Sequence, residues 1–219
     1  MNTILKTSIG RKIAMALSAF FLMIFLLMHL TINLLSIFSP DAFNTASHFM
    51  GTNPLIQFIM QPILILGVLF HFVMGFVLEL KNRKATAVKY VKNNGAANST
   101  WMSRNMIYSG MAILAFIVLH FKQFWIHEIN YKYIAHETPN ATRYYEELVK
   151  VFENPITVAI YVIAFIFLAL HLLHGFKSAF QSMGIPAIRK KAFETCGKIY
   201  AIGVPAGFIF VALYHYFNH

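Results

Sequence analysis

Five stretches of the chain, roughly Ile13–Phe38, Leu55–Leu80, Asn105–Trp125, Ile156–Phe176 and Ile199–Phe217, are long, apolar and almost free of charge. A bilayer core about 30 Å thick takes about 20 apolar residues at a rise of 1.5 Å each. Inside hydrocarbon every backbone N–H and C=O must be satisfied within the segment, so runs of this length can only be helices. The sequence therefore predicts an all-α bundle of five transmembrane helices, a single membrane domain over residues 1–219. Composition agrees, with 58% hydrophobic and 12% charged residues, against about one quarter charged in a soluble domain. The first run is too long for a signal-peptide core and has no clear small-residue cleavage site after it, so it reads as a retained span.

A net charge of +10 could suggest nucleic acid, but the placement of the basic residues points to a membrane instead. Three segments hold 14 of the 18 Lys and Arg: Lys6, Arg11 and Lys12; then Lys81, Arg83, Lys84, Lys89, Lys92 and Arg104; then Lys177, Arg189, Lys190, Lys191 and Lys198. The alternate connections carry most of the acids, among them Asp41, Glu128, Glu137, Glu146, Glu147 and Glu153. That alternation is the positive-inside pattern. It predicts a cytoplasmic N-terminus and an outside C-terminus at His219. The basic loops suit anionic lipid and equally a docked cytoplasmic partner. Cys196 is the only cysteine, so an iron–sulfur cluster, which needs about four ligands, would have to reside in another subunit.

Between the spans, the outer connection Ser39–Asn53 reads as a short polar loop. Ile126–Asn154 reads as a longer one, with an amphipathic helix near Tyr144–Phe152. Pro62 is expected to kink the second span.

The apolar spans carry little chemistry besides histidine. His29 lies 17 residues after Lys12, His71 17 after Pro54, His120 16 after Arg104 and His171 16 after Pro155. Each is thus roughly 25 Å from the face its helix entered. Successive helices run in opposite directions, so His29 and His120 should meet near the outer face and His71 and His171 near the inner one. One intramembrane histidine can be a packing residue. Four, one in each of four successive spans and paired by depth, point to two bis-histidine haem sites.

His71 and His171 each have a glycine four residues on, Gly75 and Gly175, on the same helix face. Phe25, Phe116 and Phe167 precede His29, His120 and His171 by four residues. His174, three residues after His171, points about 60° away from it, so His171 is the preferred ligand. His215 reads as interfacial or quinone-adjacent, and His48, His127, His136 and His219 as solvated. The sequence has no Glu-x-x-His pair for a di-metal site, no nucleophile elbow and no phosphate-binding glycine loop.

Five spans, histidines in the first four, and His171-Leu-Leu-His174-Gly175 with Gly184 nine residues on resemble the membrane cytochrome b subunit of succinate dehydrogenase/fumarate reductase. The closest type is the single-chain, two-haem anchor of menaquinone-using bacteria, and Ser8-Ile-Gly-Arg11-Lys12 supports the likeness. The resemblance implies two haem b groups, with His71/His171 holding the inner one and His29/His120 the outer. It also implies a bacterial cytoplasmic membrane, flavoprotein and iron–sulfur partners on the cytoplasmic face, and quinone as substrate. Succinate/fumarate chemistry would reside in a partner.

One position departs from the family: Ala169 stands where the two-haem fumarate reductase has a glutamate tied to proton movement. That puts this proton route in doubt and favours the succinate dehydrogenase direction. Asn33, Gln57, Gln61 and Gln123 are the polar candidates for a quinone contact. The rival readings are a two-haem cytochrome b of a formate dehydrogenase or hydrogenase, and a haem-free metal transporter.

Overall fold

The computed structural model describes residues 7–85, 106–184 and 190–219. Lys6, Lys89, Lys92, Arg104 and Arg189, on which much of the basic pattern rests, lie outside the described residues. The described residues are 91% helix, with no strand among them. Among the described residues five helical segments are long and apolar enough to cross a membrane: Ser8–Phe38, Ile56–Asn82, Met106–Ile134, Pro155–Ser182 and Lys191–Asn218. It is a multi-pass membrane protein.

Helix starts are written locally. Thr7 opens α1 (Ser8–Phe38) by accepting from the Gly10 N–H at 3.0 Å. Three later starts share one device, a capping Ser or Asn followed by proline. Ser39-Pro40 opens α2 (Pro40–Thr52), Asn53-Pro54 opens the second span, and Asn154-Pro155 opens α7 (Pro155–Ser182). Asn154 Oδ1 accepts from the Ile156 and Thr157 N–H groups at 2.9 and 3.2 Å. At the other end of α7, Gly184 adopts φ +74, a left-handed stop that glycine takes without steric cost.

Two connections differ from expectation. Ser39–Asn53 is almost wholly helical rather than a polar loop. Its capping Ser-Pro start and its apolar face, which buries Phe43, make it an amphipathic cap on the bundle. The third span also does not stop at Trp125. After α4 (Met106–His120) it continues through a π-helical turn at Phe121–Trp125, the short α5 (Ile126–Ile129) and a second π turn at Asn130–Ile134. Lys132 then reaches the Gly51 carbonyl at 2.6 Å, tying this extension to α2. The amphipathic helix in the remaining connection is present as α6 (Arg143–Phe152).

At Pro62 the distortion takes a specific form. A π turn, Ile56–Met60, precedes α3 (Gln61–Ala85), and the Gln61 N–H bonds to Ile56 O. Pro62 donates no hydrogen bond and its ring crowds the carbonyl four residues back. A widened turn relieves both.

The core is formed chiefly by α1, α7 and α8 (Lys190–Asn218), with α4 on α7 and α3 on α1. It falls into two clusters. One, with Leu30, Phe43, Leu148, Phe152, Tyr161 and Phe208, lies under α2 and α6 at the capped end. The other, with Ala16, Met23, Leu172, Ala179 and Ala201, fills the opposite, open end. Outward-facing Leu66, Leu69 and Val73 of α3 and Ile163 and Ile166 of α7 stay exposed, as a lipid-facing surface requires.

Small residues set the closest approaches. A Cβ at Gly197 would stand 2.8 Å from Phe176 Cε1 and 3.0 Å from its Cγ. The Phe176 ring cannot swing aside freely, because it stacks on Phe180 at 4.5 Å. Gly197→Leu is therefore expected to cost about 1–3 kcal/mol by overpacking. Thermal unfolding of the detergent-solubilised chain measures this, with Cys196→Ala, an exposed neighbour, as the neutral control. Equal melting of the two variants would contradict the packing account.

Candidate functional site

Histidines from the first four spans meet as two pairs, one at each end of the bundle. At the open end His71 of α3 and His171 of α7 face each other with ring centroids 6.3 Å apart and planes at 68°. Both outer nitrogens are held. Ser18 of α1 lies 3.0 Å from His71 Nδ1, and Ser109 of α4 lies 3.3 Å from His171 Nδ1. Each serine proton is already committed, Ser18 to Met15 O and Ser109 to Met106 O, both at 2.8 Å. With the serine protons on those carbonyls the serine oxygens accept, an arrangement that matches both rings as Nδ1–H tautomers with their Nε2 lone pairs free. That is the state in which imidazole binds a metal.

At the capped end His29 of α1 and His120 of α4 stand with ring centroids 5.8 Å apart and planes at 81°. His120 Nδ1 lies 3.3 Å from the Tyr161 hydroxyl, which donates its own proton to Gln123 Oε1 at 2.7 Å. The same logic makes His120 an Nδ1–H tautomer. Phe25 stacks on His29 at 5.4 Å and Phe116 on His120 at 5.8 Å, so the phenylalanines four residues upstream pack directly on the imidazoles.

Two imidazoles that share one metal ion have ring centres roughly 6 Å apart, taking about 2 Å per metal–nitrogen bond and about 1.1 Å from nitrogen to ring centre. The observed 6.3 and 5.8 Å fit that spacing. His171, not His174, makes the ring contact with His71. Gly75 and Gly175 do not leave open backbone beside the imidazoles. A Cβ at Gly75 would meet Met15 Cε at 3.4 Å and one at Gly175 would meet Met106 Cε at 3.8 Å, so a flexible methionine covers each. Gly110 abuts the His171 ring, where a Cβ would lie 3.6 Å from its Cε1. Among the described residues no three His, Cys, Asp or Glu side chains converge as an all-protein metal site would need.

The other histidines separate clearly. His215 is not interfacial: it is 0% exposed and hydrogen-bonded through Nε2 to Ser36 at 2.8 Å. The last turns of α8 pack against α1 and under Tyr145 of α6, so the cap covers them. His219 is not simply solvated, since its Nε2 meets the Tyr145 hydroxyl at 2.9 Å. His48 is half-buried edge-on to Tyr144. His127 is exposed beside Glu147, and His136 is exposed with φ 49 at the end of the third span.

The polar candidates mostly tie helices together. Gln57 donates to Tyr133, the Trp125 indole N–H donates to Gln61 at 3.3 Å, and Asn33 turns back to His29 O at 2.9 Å. Gln57, Gln61, Trp125 and Tyr133 also line a cavity of about 170 Å³ between the second and third spans.

Span depth does not point to Ser18, Ser109 or Tyr161. For the serines a signal existed: Met15-x-x-Ser18, then Phe25 and His29, recurs with identical spacing as Met106-x-x-Ser109, Phe116 and His120. The first and third spans thus repeat one pattern, as the second and fourth repeat His-x-x-x-Gly. Tyr161 carries no such signal, because its partner depends on how α7 is rotated against α4.

Comparison of the chain with protein-family models, with curated proteins and with solved structures finds no match.

Proposed function

We propose that this chain is the di-haem b membrane-anchor subunit of a succinate:quinone oxidoreductase, serving electron transfer between a cytoplasmic flavoprotein/iron–sulfur pair and menaquinone in a bacterial cytoplasmic membrane. The observation that carries the reading is the meeting of four intramembrane histidines as two facing pairs, three of them with a hydroxyl beside Nδ1. His71 and His171 would hold one haem at the open end, and His29 and His120 the other at the capped end.

When bound, each haem supplies a one-electron carrier, whose potential the protein tunes through its axial ligands and their hydrogen bonds. The chain's own work is to hold the imidazoles, exclude water with apolar spans and set the tautomers through hydroxyls. The basic segments favour the open end as cytoplasmic, where they offer a docking face to the partner subunits. The capped end is then outside. The cleft of Gln57, Gln61 and Trp125 suits a quinone, since it joins a few polar groups to an apolar wall open to lipid.

The reading is tested on the purified chain by a reduced-minus-oxidised spectrum with haem quantified per polypeptide. Two b-type haems per chain are expected. A preparation made with ample haem supply that shows none would end the reading. Co-purification of a flavoprotein, rather than a molybdenum or nickel enzyme, tests the choice of complex.

A further inference from the structure

The two histidine pairs are supported differently. At the open end each ring is held by a serine from a neighbouring helix. At the capped end only His120 has a hydroxyl partner, and that partner is a phenol backed by an amide. Among the described residues no hydrogen bond reaches the His29 ring, which is held by Phe25 and by Phe208 at 5.6 Å. Tyr161 is 2% exposed and fixed edge-on between Phe116 at 4.8 Å and Phe152 at 5.1 Å. Its hydroxyl therefore has little freedom beyond His120 and Gln123.

We propose that Tyr161 and Gln123 are positioning residues for His120, a relay that fixes its tautomer and makes it the more electron-donating imidazole of the capped-end pair. The proposal rests on the reading of His29 and His120 as axial ligands. Gln123 Oε1 takes the phenol proton, so the phenol oxygen is left as an acceptor, strengthened because it is itself a donor. Accepting from Nδ1–H pushes electron density onto the ring and raises the basicity of Nε2. A more donating axial ligand stabilises the oxidised metal over the reduced one and lowers the potential of that site. Gln123 has a second task, since without it the phenol proton can turn toward Nδ1. The ring would then carry its proton on Nε2, the form that cannot bind a metal.

These tasks predict different phenotypes. Tyr161→Phe removes the acceptor but introduces no competing donor. It should leave two haems per chain and raise the midpoint of one of them. The expected size is a tenfold change in the one-electron equilibrium, about 59 mV. The affected haem should be the one that His120→Ala removes. Gln123→Leu frees the phenol proton and should weaken haem binding at that site about tenfold. Combining Gln123→Leu with Tyr161→Phe should restore binding, because no proton remains to be misdirected. Ser18→Ala serves as the converse, moving only the haem that His71→Ala removes.

Redox titration and low-spin haem resonance of the purified full chain read all of these directly. If two haems bind and Tyr161→Phe shifts neither, or shifts both equally, the relay is wrong while the haem reading stands. If the double variant binds no better than Gln123→Leu, the tautomer role of Gln123 is wrong. If the unaltered chain binds no haem, the reading beneath the proposal fails, and the proposal with it.

Discussion

His71→Ala and His171→Ala are expected to remove one and the same haem, each leaving a chain with a single b-type haem of unchanged spectrum. The two residues are 100 positions apart and on different spans, yet their rings face each other at 6.3 Å. Replacing either by alanine leaves the other ring pinned by its serine, Ser18 or Ser109, with no opposite nitrogen. His29→Ala and His120→Ala should each remove the other haem, because those rings stand 5.8 Å apart at the capped end. His174→Ala should keep both haems. Haem quantification with low-temperature difference spectra decides this. Loss of different haems from His71→Ala and His171→Ala would overturn the pairing.

Arg143→Met should loosen the cap without touching either histidine pair. Arg143 is 7% exposed and donates to both Glu147 oxygens at 2.7 Å and also to Glu128. Its guanidinium lies over Tyr131 at 3.8 Å and over Tyr144 at 4.4 Å. Burial alone would lower its pKa, but the hydrogen bonds it donates to Glu128 and Glu147 outweigh that and hold it above the ordinary arginine range. The neighbouring Tyr144 phenol is pushed up to about 12, first by burial and then by the Glu128 charge.

Removing one member of a buried charge pair costs about 3–5 kcal/mol. Glu128 and Glu147 keep 21% and 30% exposure, so water recovers part of that loss and about 2–4 kcal/mol is expected. Arg143→Lys should recover less than half, because an ammonium cannot reproduce the two-pronged contact or the stacking. Thermal unfolding, with limited proteolysis near Pro139, measures the effect. A melt unchanged from the parent chain would show the clasp to be dispensable.

The histidine pairs were legible because helix rise is fixed and successive spans run in opposite directions, so counting residues gives depth. Depth narrows each histidine to one candidate partner but says nothing of rotation. His215 shows the limit. Its place near the end of a span suggested an interface, and only the packing of α2 and α6 over that end buries it against Ser36. The helix Pro40–Thr52 was hidden for a related reason. Its sequence is polar enough for a loop, and its Ser-Pro cap and buried Phe43 gain meaning only with a bundle beneath it.

What the sequence by itself determined is whatever local energetics impose: five helices from the cost of unsatisfied backbone in hydrocarbon, their starts from Ser, Thr and Asn caps, and four histidines at two depths. What only the tertiary structure decided is which hydroxyl stands beside which imidazole. A helix turned by one residue about its axis swings each side chain by about 100°, so Ser18, Ser109 and Tyr161 become partners only once the faces of α1, α4 and α7 are set against one another.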